Sequence, residues 1–176
     1  MITKLTNPKT SLYYEFKSIV LGSEFPWHWN EKSHNDYEVT EETSNFSFLS
    51  HVILERPGRT YWTSKINSDY FGIAHALFQE ICETNEIEPQ VLYRINANFT
   101  AQFDRSVIDK YGPDHIDHDF PHKNILVYLT PTHSGLTKVG DQEYMGMEDD
   151  IIIFEGTHAN MCPTSSRRVV LVYTFL

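Results

Sequence analysis

Short β-prone segments separated by turn signals fill the second half of the chain, and they constrain the fold more than any other feature. Five runs rich in β-branched and aromatic residues occupy positions 91–99, 125–129, 136–139, 151–154 and 169–175. Turn sequences such as Tyr111-Gly112-Pro113 and Glu155-Gly156 lie between them. Segments this short bury their apolar faces by pairing with one another, so we expect an antiparallel sandwich or barrel.

The first half of the chain mixes helical and extended patterns. Apolar residues recur at helical spacing across positions 69–85: Phe71, Ala74, Phe78 and Ile81. They predict an amphipathic helix with Ser68 as its N-cap. We also expect a short helix over 12–21, a strand over 46–54 and an exposed polar loop over 30–44. The combination predicts a mainly β fold with supporting helices, such as the jelly roll, with the chemistry in the mouth of the barrel.

Composition limits the class of protein. A chain of 176 residues, 40% of them hydrophobic and 14% aromatic, is expected to form a single domain. The net charge of -10 argues against general nucleic-acid binding and against anionic membrane surfaces. Two cysteines are too few for a disulfide scaffold, and neither a signal peptide nor a membrane-spanning run is recognisable. We therefore expect a cytoplasmic protein.

A candidate metal site consists of three residues in the second half. His115 and Asp117 precede the strand over 125–129, and residues two apart on an extended segment point to the same face. His158 follows the apolar strand over 151–154 and would lie near this pair if the two strands are neighbours. Two histidines and one carboxylate occupy one face of an octahedron, which suits non-haem iron(II) and leaves positions for a keto acid and dioxygen.

The His-x-Asp tripeptide is a weak motif by itself, because the chain contains it twice. His34-Asn35-Asp36 has His75 at a separation close to that between the first pair and His158. Its context argues against it, since His75 lies in the predicted helix and the residue ten positions further on is Asn85. The residue ten positions after His158 is an arginine.

That arginine, Arg168, opens the last predicted strand. A guanidinium deep in a barrel can bind both oxygens of a carboxylate such as the distal one of 2-oxoglutarate. Arg167 is adjacent and has the opposite strand parity, so only one of the two can face inward. We favour Arg168.

The second half of the chain resembles the prolyl-4-hydroxylase-like branch of the 2-oxoglutarate/iron(II) dioxygenases in the order of its motifs. His-x-Asp is followed by a Tyr-Leu strand at Tyr128, by a glycine-containing strand, by His158 and by Arg168. Small oxygenase-like proteins of tailed phages are also similar, in three segments: Phe25-Pro26-Trp27, Arg94-Ile95-Asn96-Ala97-Asn98 and Arg168-Val169. Thr130 and Ser134-Gly135 depart from the family's Asn and Gly-Gly.

The resemblance implies a cupin-like double-stranded β-helix over 1–176, with a supporting region of about 1–90 and a core of about 91–176. It implies that His115, Asp117 and His158 bind iron(II) and that Arg168 and Tyr128 hold 2-oxoglutarate. Asn98, on a strand entering the site region, is a further candidate for binding the co-substrate. It also implies hydroxylation of a protein side chain or another substrate with dioxygen, releasing succinate and carbon dioxide, in the host cytoplasm if a phage encodes the chain.

Several alternatives stay open from the sequence. His118, His122 or His133 replaces His115 as ligand if the strand register differs. The triad can also hold zinc, or be vestigial in a cupin-like binding or structural module. Arg94 and Asn98 either contact the bound molecules or are ordinary strand residues. The three tryptophans are expected in the core rather than in a substrate platform: Trp27, Trp29 and Trp62.

Overall fold

The computed structural model of the protein describes residues 1–31, 46–58, 62–132 and 135–176. Most of the predicted loop over 30–44 lies outside these ranges, as do His34-Asn35-Asp36 and His133. No described helix is long and apolar enough to cross a membrane. Both cysteines, Cys82 and Cys162, are buried free thiols.

A large antiparallel sheet of eight strands forms the base of the molecule. Its strands run in the order β1-β9-β6-β11-β5-β3-β2, and β4 pairs with β3. The bounds are β1 Thr3–Leu5, β2 His28–Asn30, β3 Phe48–Glu55, β4 Lys65–Ile66, β5 Leu92–Ala101, β6 Lys123–Tyr128, β9 Ile151–Phe154 and β11 Arg167–Phe175. The long central strands β5 and β11 pair in register from Arg167 opposite Ala101 to Thr174 opposite Arg94.

A small sheet of three strands faces part of the large one. Its order is β10-β7-β8, with bounds β7 Thr137–Val139, β8 Gln142–Tyr144 and β10 His158–Asn160. Val139 of this sheet packs with Leu126, Val170 and Val172 of the large sheet. Two antiparallel sheets closed around a shared interior form a double-stranded β-helix, the fold expected from the sequence.

Two helices cover the opposite face of the large sheet. They are α1 Ser11–Leu21, capped by the Thr10 side chain, and α2 Phe71–Thr84. On β11, Val169, Leu171 and Tyr173 pack in the helix-side core, while Arg168, Val170 and Val172 face the space between the sheets. The alternation of side chains along a strand therefore divides β11 between core and cavity.

The start of α2 differs from the expectation. The helix begins at Phe71, and its N-cap position is Tyr70, which makes no side-chain cap hydrogen bond. The Ser68 hydroxyl instead accepts a hydrogen bond from the Tyr70 N–H at 3.2 Å. The serine thus forms a short turn before the helix, and its predicted role as the N-cap is wrong.

Candidate active site

The residues of the predicted triad converge at one end of the interior. One ligand atom from each of His115, Asp117 and His158 lies within 4.8 Å of the others. His115 belongs to no regular strand; it forms an isolated antiparallel bridge with His158. The His115 N–H donates to the His158 carbonyl at 2.9 Å, and the His158 N–H donates back at 2.8 Å. This reciprocal pair brings two distant chain segments together.

Hydrogen bonds to backbone carbonyls orient both imidazole rings. The Nδ1 of His115 donates to the Pro113 carbonyl at 3.0 Å, and the Nδ1 of His158 donates to the Gly156 carbonyl at 3.1 Å. A neutral imidazole that donates from Nδ1 carries its lone pair on Nε2. Burial lowers the pKa of His158, which favours this neutral form. Both rings therefore have the tautomer in which Nε2 can bind a metal ion.

Asp117 supplies the negative charge of the site. Burial alone would raise its pKa, but the positive charge of Arg94 holds the pKa well below its usual range. Arg94 Nη1 donates to Asp117 Oδ1 at 2.7 Å. Oδ2 is buried and has no hydrogen-bond partner among the described residues. It lies 3.6 Å from His158 Nε2.

This donor set fits a divalent metal ion. A buried carboxylate oxygen without a partner is costly, and a cation bound by Oδ2 would remove that cost. Because Arg94 occupies Oδ1, Asp117 can offer one oxygen rather than two. One carboxylate oxygen and two Nε2 atoms make three ligands, which leave open positions in an octahedral iron(II) site and one in a tetrahedral zinc site.

A cavity of about 610 Å³ opens beside the triad and extends between the sheets. This volume lies within the range typical of small-molecule sites. His115, Asp117 and His158 line it, and Arg168 lines it on the inner face of β11. The three candidate metal ligands and a buried guanidinium thus share one space.

Arg168 is buried to 3% exposure. Its Nη2 donates to the Thr137 hydroxyl at 2.8 Å, and its guanidinium carbon lies 5.4 Å from the centre of the Tyr128 ring. No described carboxylate pairs with it, and its Nε has no described partner. Burial lowers the pKa of Arg168, yet a guanidinium stays protonated in proteins. A buried cation without an anion favours an anionic ligand.

Thr137 is a site residue that the sequence reasoning missed. Its hydroxyl accepts from Arg168 and is also hydrogen-bonded to the Tyr128 hydroxyl at 2.7 Å. Thr137 lines the cavity, whereas Tyr128 is fully buried behind it. A threonine is ordinary in a strand, so the sequence contained no signal for it.

The neighbouring candidates lie elsewhere. Arg167 is exposed, with its guanidinium 5.7 Å from the centre of the Phe99 ring on the other face of β11. His118 and His122 are buried with Phe120 against Tyr93 and do not join the triad. Burial, with the nearby charge of His122, lowers the pKa of His118 to about 4.

The expectation of three core tryptophans is wrong for two of them. Trp27 packs edge to face against Phe25 and Phe99. Trp29 is 53% exposed and Trp62 is 99% exposed. Neither exposed ring lines the cavity. They therefore form no platform at this site.

The fold is shared with solved structures of oxygenases. No protein-family model matches the sequence, and no curated protein matches it either. An oxidoreductase of the 2OG-Fe(II) oxygenase family from Burkholderia pseudomallei superposes with a TM-score of 0.67 over 99% of this chain and 84% of that one, at 10% identity. The expected double-stranded β-helix is thereby confirmed.

Two further structures are similar at 10% identity. A prolyl hydroxylase from Trichoplax adhaerens, in complex with a hypoxia-inducible-factor peptide fragment, gives a TM-score of 0.56 over 99% of this chain and 83% of that one. The non-haem α-ketoglutarate-dependent epimerase SnoN from nogalamycin biosynthesis gives a TM-score of 0.56 over 99% of this chain and 77% of that one. At these identities the likeness establishes the fold and nothing finer.

Proposed function

We propose that the chain is a single-domain iron(II)- and 2-oxoglutarate-dependent oxygenase. The observation that carries this proposal is the presence of two complementary features in one cavity. One is a triad with an unpartnered buried carboxylate oxygen on Asp117, and the other is the buried cation Arg168 without a described carboxylate. A metal ion satisfies the first, and a diacid that reaches from the metal to Arg168 satisfies the second.

Each residue has a stated role in this proposal. Nε2 of His115, Nε2 of His158 and Oδ2 of Asp117 hold iron(II), and Arg94 keeps the second carboxylate oxygen occupied. Arg168 and the Thr137 hydroxyl bind the distal carboxylate of 2-oxoglutarate, and Tyr128 holds Thr137 in place. Tyr128 thus acts through Thr137 rather than by direct contact. Asn98 lines the same cavity, and its assignment to the co-substrate from the sequence stays a prediction.

Iron(II), when bound, would supply the oxidative chemistry: 2-oxoglutarate reacts with dioxygen to give succinate and carbon dioxide, and the primary substrate is oxidised. The chain itself orients the ligands and limits water. Val170 and Val172 follow Arg168 along the cavity face of β11, and Leu126 lies beside them on β6. Their apolar side chains exclude water from the floor of the site.

A protein side chain is the substrate we propose, and hydroxylation is the reaction. The support is the motif order of the prolyl-4-hydroxylase-like proteins together with the peptide bound by the structurally similar Trichoplax enzyme. The main alternative reaction is epimerisation, because one structurally similar protein is a non-haem α-ketoglutarate-dependent epimerase. The reaction type is therefore tested separately from cofactor binding.

Cofactor binding is tested by anaerobic titration of the protein with iron(II) and then 2-oxoglutarate. We expect a weak visible charge-transfer band, and its loss in His158→Ala. His75→Ala is the matched control, because His75 is half-buried on α2 and stacks on Phe71 away from the cavity. The absence of a band in folded wild-type protein would refute the oxygenase.

Turnover is tested by incubating the loaded protein with peptide pools and measuring succinate and a mass gain of one oxygen atom. A gain on a side chain supports hydroxylation. Succinate release without added oxygen in the product would instead favour an epimerase-like outcome. Protein that retains zinc and forms no succinate would favour the cupin-like binding module.

A further inference from the structure

The chain between β8 and β9, residues 145–150, packs against the ring of Tyr128 and is called the β8–β9 turn below. Gly146 in this turn lies so close to Tyr128 that a Cβ on it would overlap the ring carbons. The Tyr128 hydroxyl is hydrogen-bonded to the Thr137 hydroxyl, which accepts from Arg168. The position of the turn therefore limits where the ring beside the buried guanidinium can lie.

Two backbone hydrogen bonds connect the same turn to Tyr128. The Asp149 N–H donates to the Tyr128 carbonyl at 2.8 Å, and the Tyr128 N–H donates to the Asp150 carbonyl at 2.9 Å. Asp149 has a φ of +69°, in the left-handed region that is unfavourable for a residue with a Cβ. Such a conformation persists where surrounding contacts hold it. The contacts of Asp149 are therefore important for the shape of the turn.

Helix α1 holds the side chain of Asp149. The Tyr13 hydroxyl donates to Asp149 Oδ1 at 2.6 Å, and Lys17 Nζ donates to the same oxygen. Lys17 Nζ also donates to Glu148 Oε1 at 2.7 Å. Burial alone would raise the pKa of Asp149, but the hydrogen bonds from Lys17 and Tyr13 hold it below its usual value. The carboxylate is therefore ionised at neutral pH, and hydrogen bonds to an ionised group are strong.

These contacts are also largely shielded from water. Tyr13 is fully buried, and the side chains of Lys17 and Asp149 are 12% and 19% exposed. An ion pair in such surroundings is screened less than a pair on the surface. Lys9 offers the comparison, because its Nζ lies 3.9 Å from Asp149 Oδ2 and its side chain is 55% exposed. The contribution of Lys17 is therefore expected to exceed that of Lys9.

We propose that Lys17 and Tyr13 are positioning residues for the binding of 2-oxoglutarate, and that they act through the β8–β9 turn. This inference rests on the proposed oxygenase function, in which Arg168 anchors the co-substrate. The contacts run from α1 to Asp149, and from the turn to Tyr128 beside the guanidinium. Neither α1 residue lines the cavity, so neither touches the co-substrate itself.

Loss of the α1 contacts should loosen the turn and, with it, the ring of Tyr128. The Thr137 hydroxyl and the guanidinium would then occupy several arrangements in the unliganded protein. The co-substrate would have to order them on binding, which lowers its affinity. The triad depends instead on the bridge between His115 and His158, so its affinity for a metal ion should not change. A selective loss of 2-oxoglutarate affinity distinguishes positioning from general destabilisation.

The test is calorimetric titration of the full-length protein with zinc(II) and then with 2-oxoglutarate. Lys17→Met and Tyr13→Phe each remove a hydrogen bond to Asp149 and keep most of the apolar side chain. We expect the Kd of 2-oxoglutarate to rise about tenfold in the double variant, with the Kd of zinc(II) within about twofold of the wild type. Lys9→Met is the matched control and should change neither value.

A double-mutant cycle tests the path of the effect. Tyr128→Phe removes the hydroxyl that contacts Thr137 and should itself weaken 2-oxoglutarate binding. If Lys17 acts through Tyr128, Lys17→Met should raise the Kd by a smaller factor in Tyr128→Phe than in the wild type. Equal factors in the two backgrounds would refute this path.

A spectroscopic readout needs no ligand. The Nε–H resonance of Arg168 is followed in ¹⁵N-labelled, unliganded protein and assigned by its loss in Arg168→Met. We expect this resonance to shift or broaden in Lys17→Met and to stay in place in Lys9→Met. An unchanged resonance in Lys17→Met would overturn the positioning role.

The two proposals fail separately. If the wild type binds zinc(II) and 2-oxoglutarate and Lys17→Met binds both equally well, the positioning role is wrong and the oxygenase stands. A parallel loss of zinc(II) and 2-oxoglutarate affinity would also contradict positioning, since it indicates general destabilisation. If the Arg168 resonance responds to Lys17→Met but the folded wild type binds neither cofactor, the contact path is supported and the oxygenase is wrong.

Discussion

Arg168→Met should weaken the binding of 2-oxoglutarate while leaving the unliganded protein as stable as the wild type or more stable. The wild-type guanidinium is 3% exposed, donates to the Thr137 hydroxyl, and has no described carboxylate partner. Burial disfavours its charge, as its lowered pKa shows. Methionine has a similar length, carries no charge and fills apolar space well.

The magnitudes follow from these contacts. A hydrogen bond to a charged group contributes about 1.5–3 kcal/mol, so losing a two-pronged contact with a carboxylate costs about 3–6 kcal/mol. That corresponds to roughly 10² to 10⁴ in the Kd of 2-oxoglutarate. Replacing a buried charge by an apolar group of similar volume is often neutral or stabilising by about 1–4 kcal/mol. The unliganded variant should therefore be as stable as the wild type or more stable.

Two measurements check this prediction. Calorimetric titration of 2-oxoglutarate into metal-loaded protein gives Kd, and urea unfolding of the unliganded protein gives the free energy of unfolding. Arg167→Met is the matched control, since Arg167 is adjacent, exposed and on the opposite face of β11. A Kd within threefold of the wild type in Arg168→Met, or a large loss in Arg167→Met, would refute the reasoning.

Three shorter predictions concern the metal, pH and packing. Arg94→Gln releases Asp117 Oδ1 and should weaken metal binding about 10- to 100-fold by competitive chelator titration, and unchanged affinity would contradict the positioning role. Burial lowers the pKa of His51 in the folded protein, so as pH falls the unfolded state binds a proton before the folded state does. The free energy of unfolding should therefore fall as pH drops below about 6.5. His51→Gln should flatten that slope in urea unfolding, and an equally steep slope would contradict it. A Cβ at Gly146 would overlap the Tyr128 ring, so Gly146→Ala should lower the free energy of unfolding by about 1–3 kcal/mol, and an unchanged urea midpoint would contradict the overlap.

The strands with strong apolar patterns were predictable, and the weak ones were not. The strand over 151–154 was predicted with its observed bounds, and that over 169–175 was predicted two residues short of Arg167–Phe175. The three-residue strands β1, β2, β8 and β10 were not predicted. Such strands have too few residues to show an alternation, and their pairing partners stabilise them.

The chemical character of the candidate site could be predicted from the sequence, because it depends on single residues and on strand parity. The residue types at His115, Asp117 and His158 define a candidate metal site, and strand parity determines that Arg168 and Arg167 point to opposite faces. Both follow from properties of single residues and from the two-residue period of a strand, which hold wherever the strand is placed.

Tertiary structure decided which groups meet. The bridge between His115 and His158 joins segments that no local pattern connects. The contact of Thr137 with Arg168 arises because the small sheet closes over the large one. Asn96 lies in the cavity wall with its Oδ1 buried and without a described hydrogen-bond partner. Contacts between residues far apart in sequence depend on the path of the whole chain, and so neither the cavity nor its unmet polar atoms can be read from the sequence.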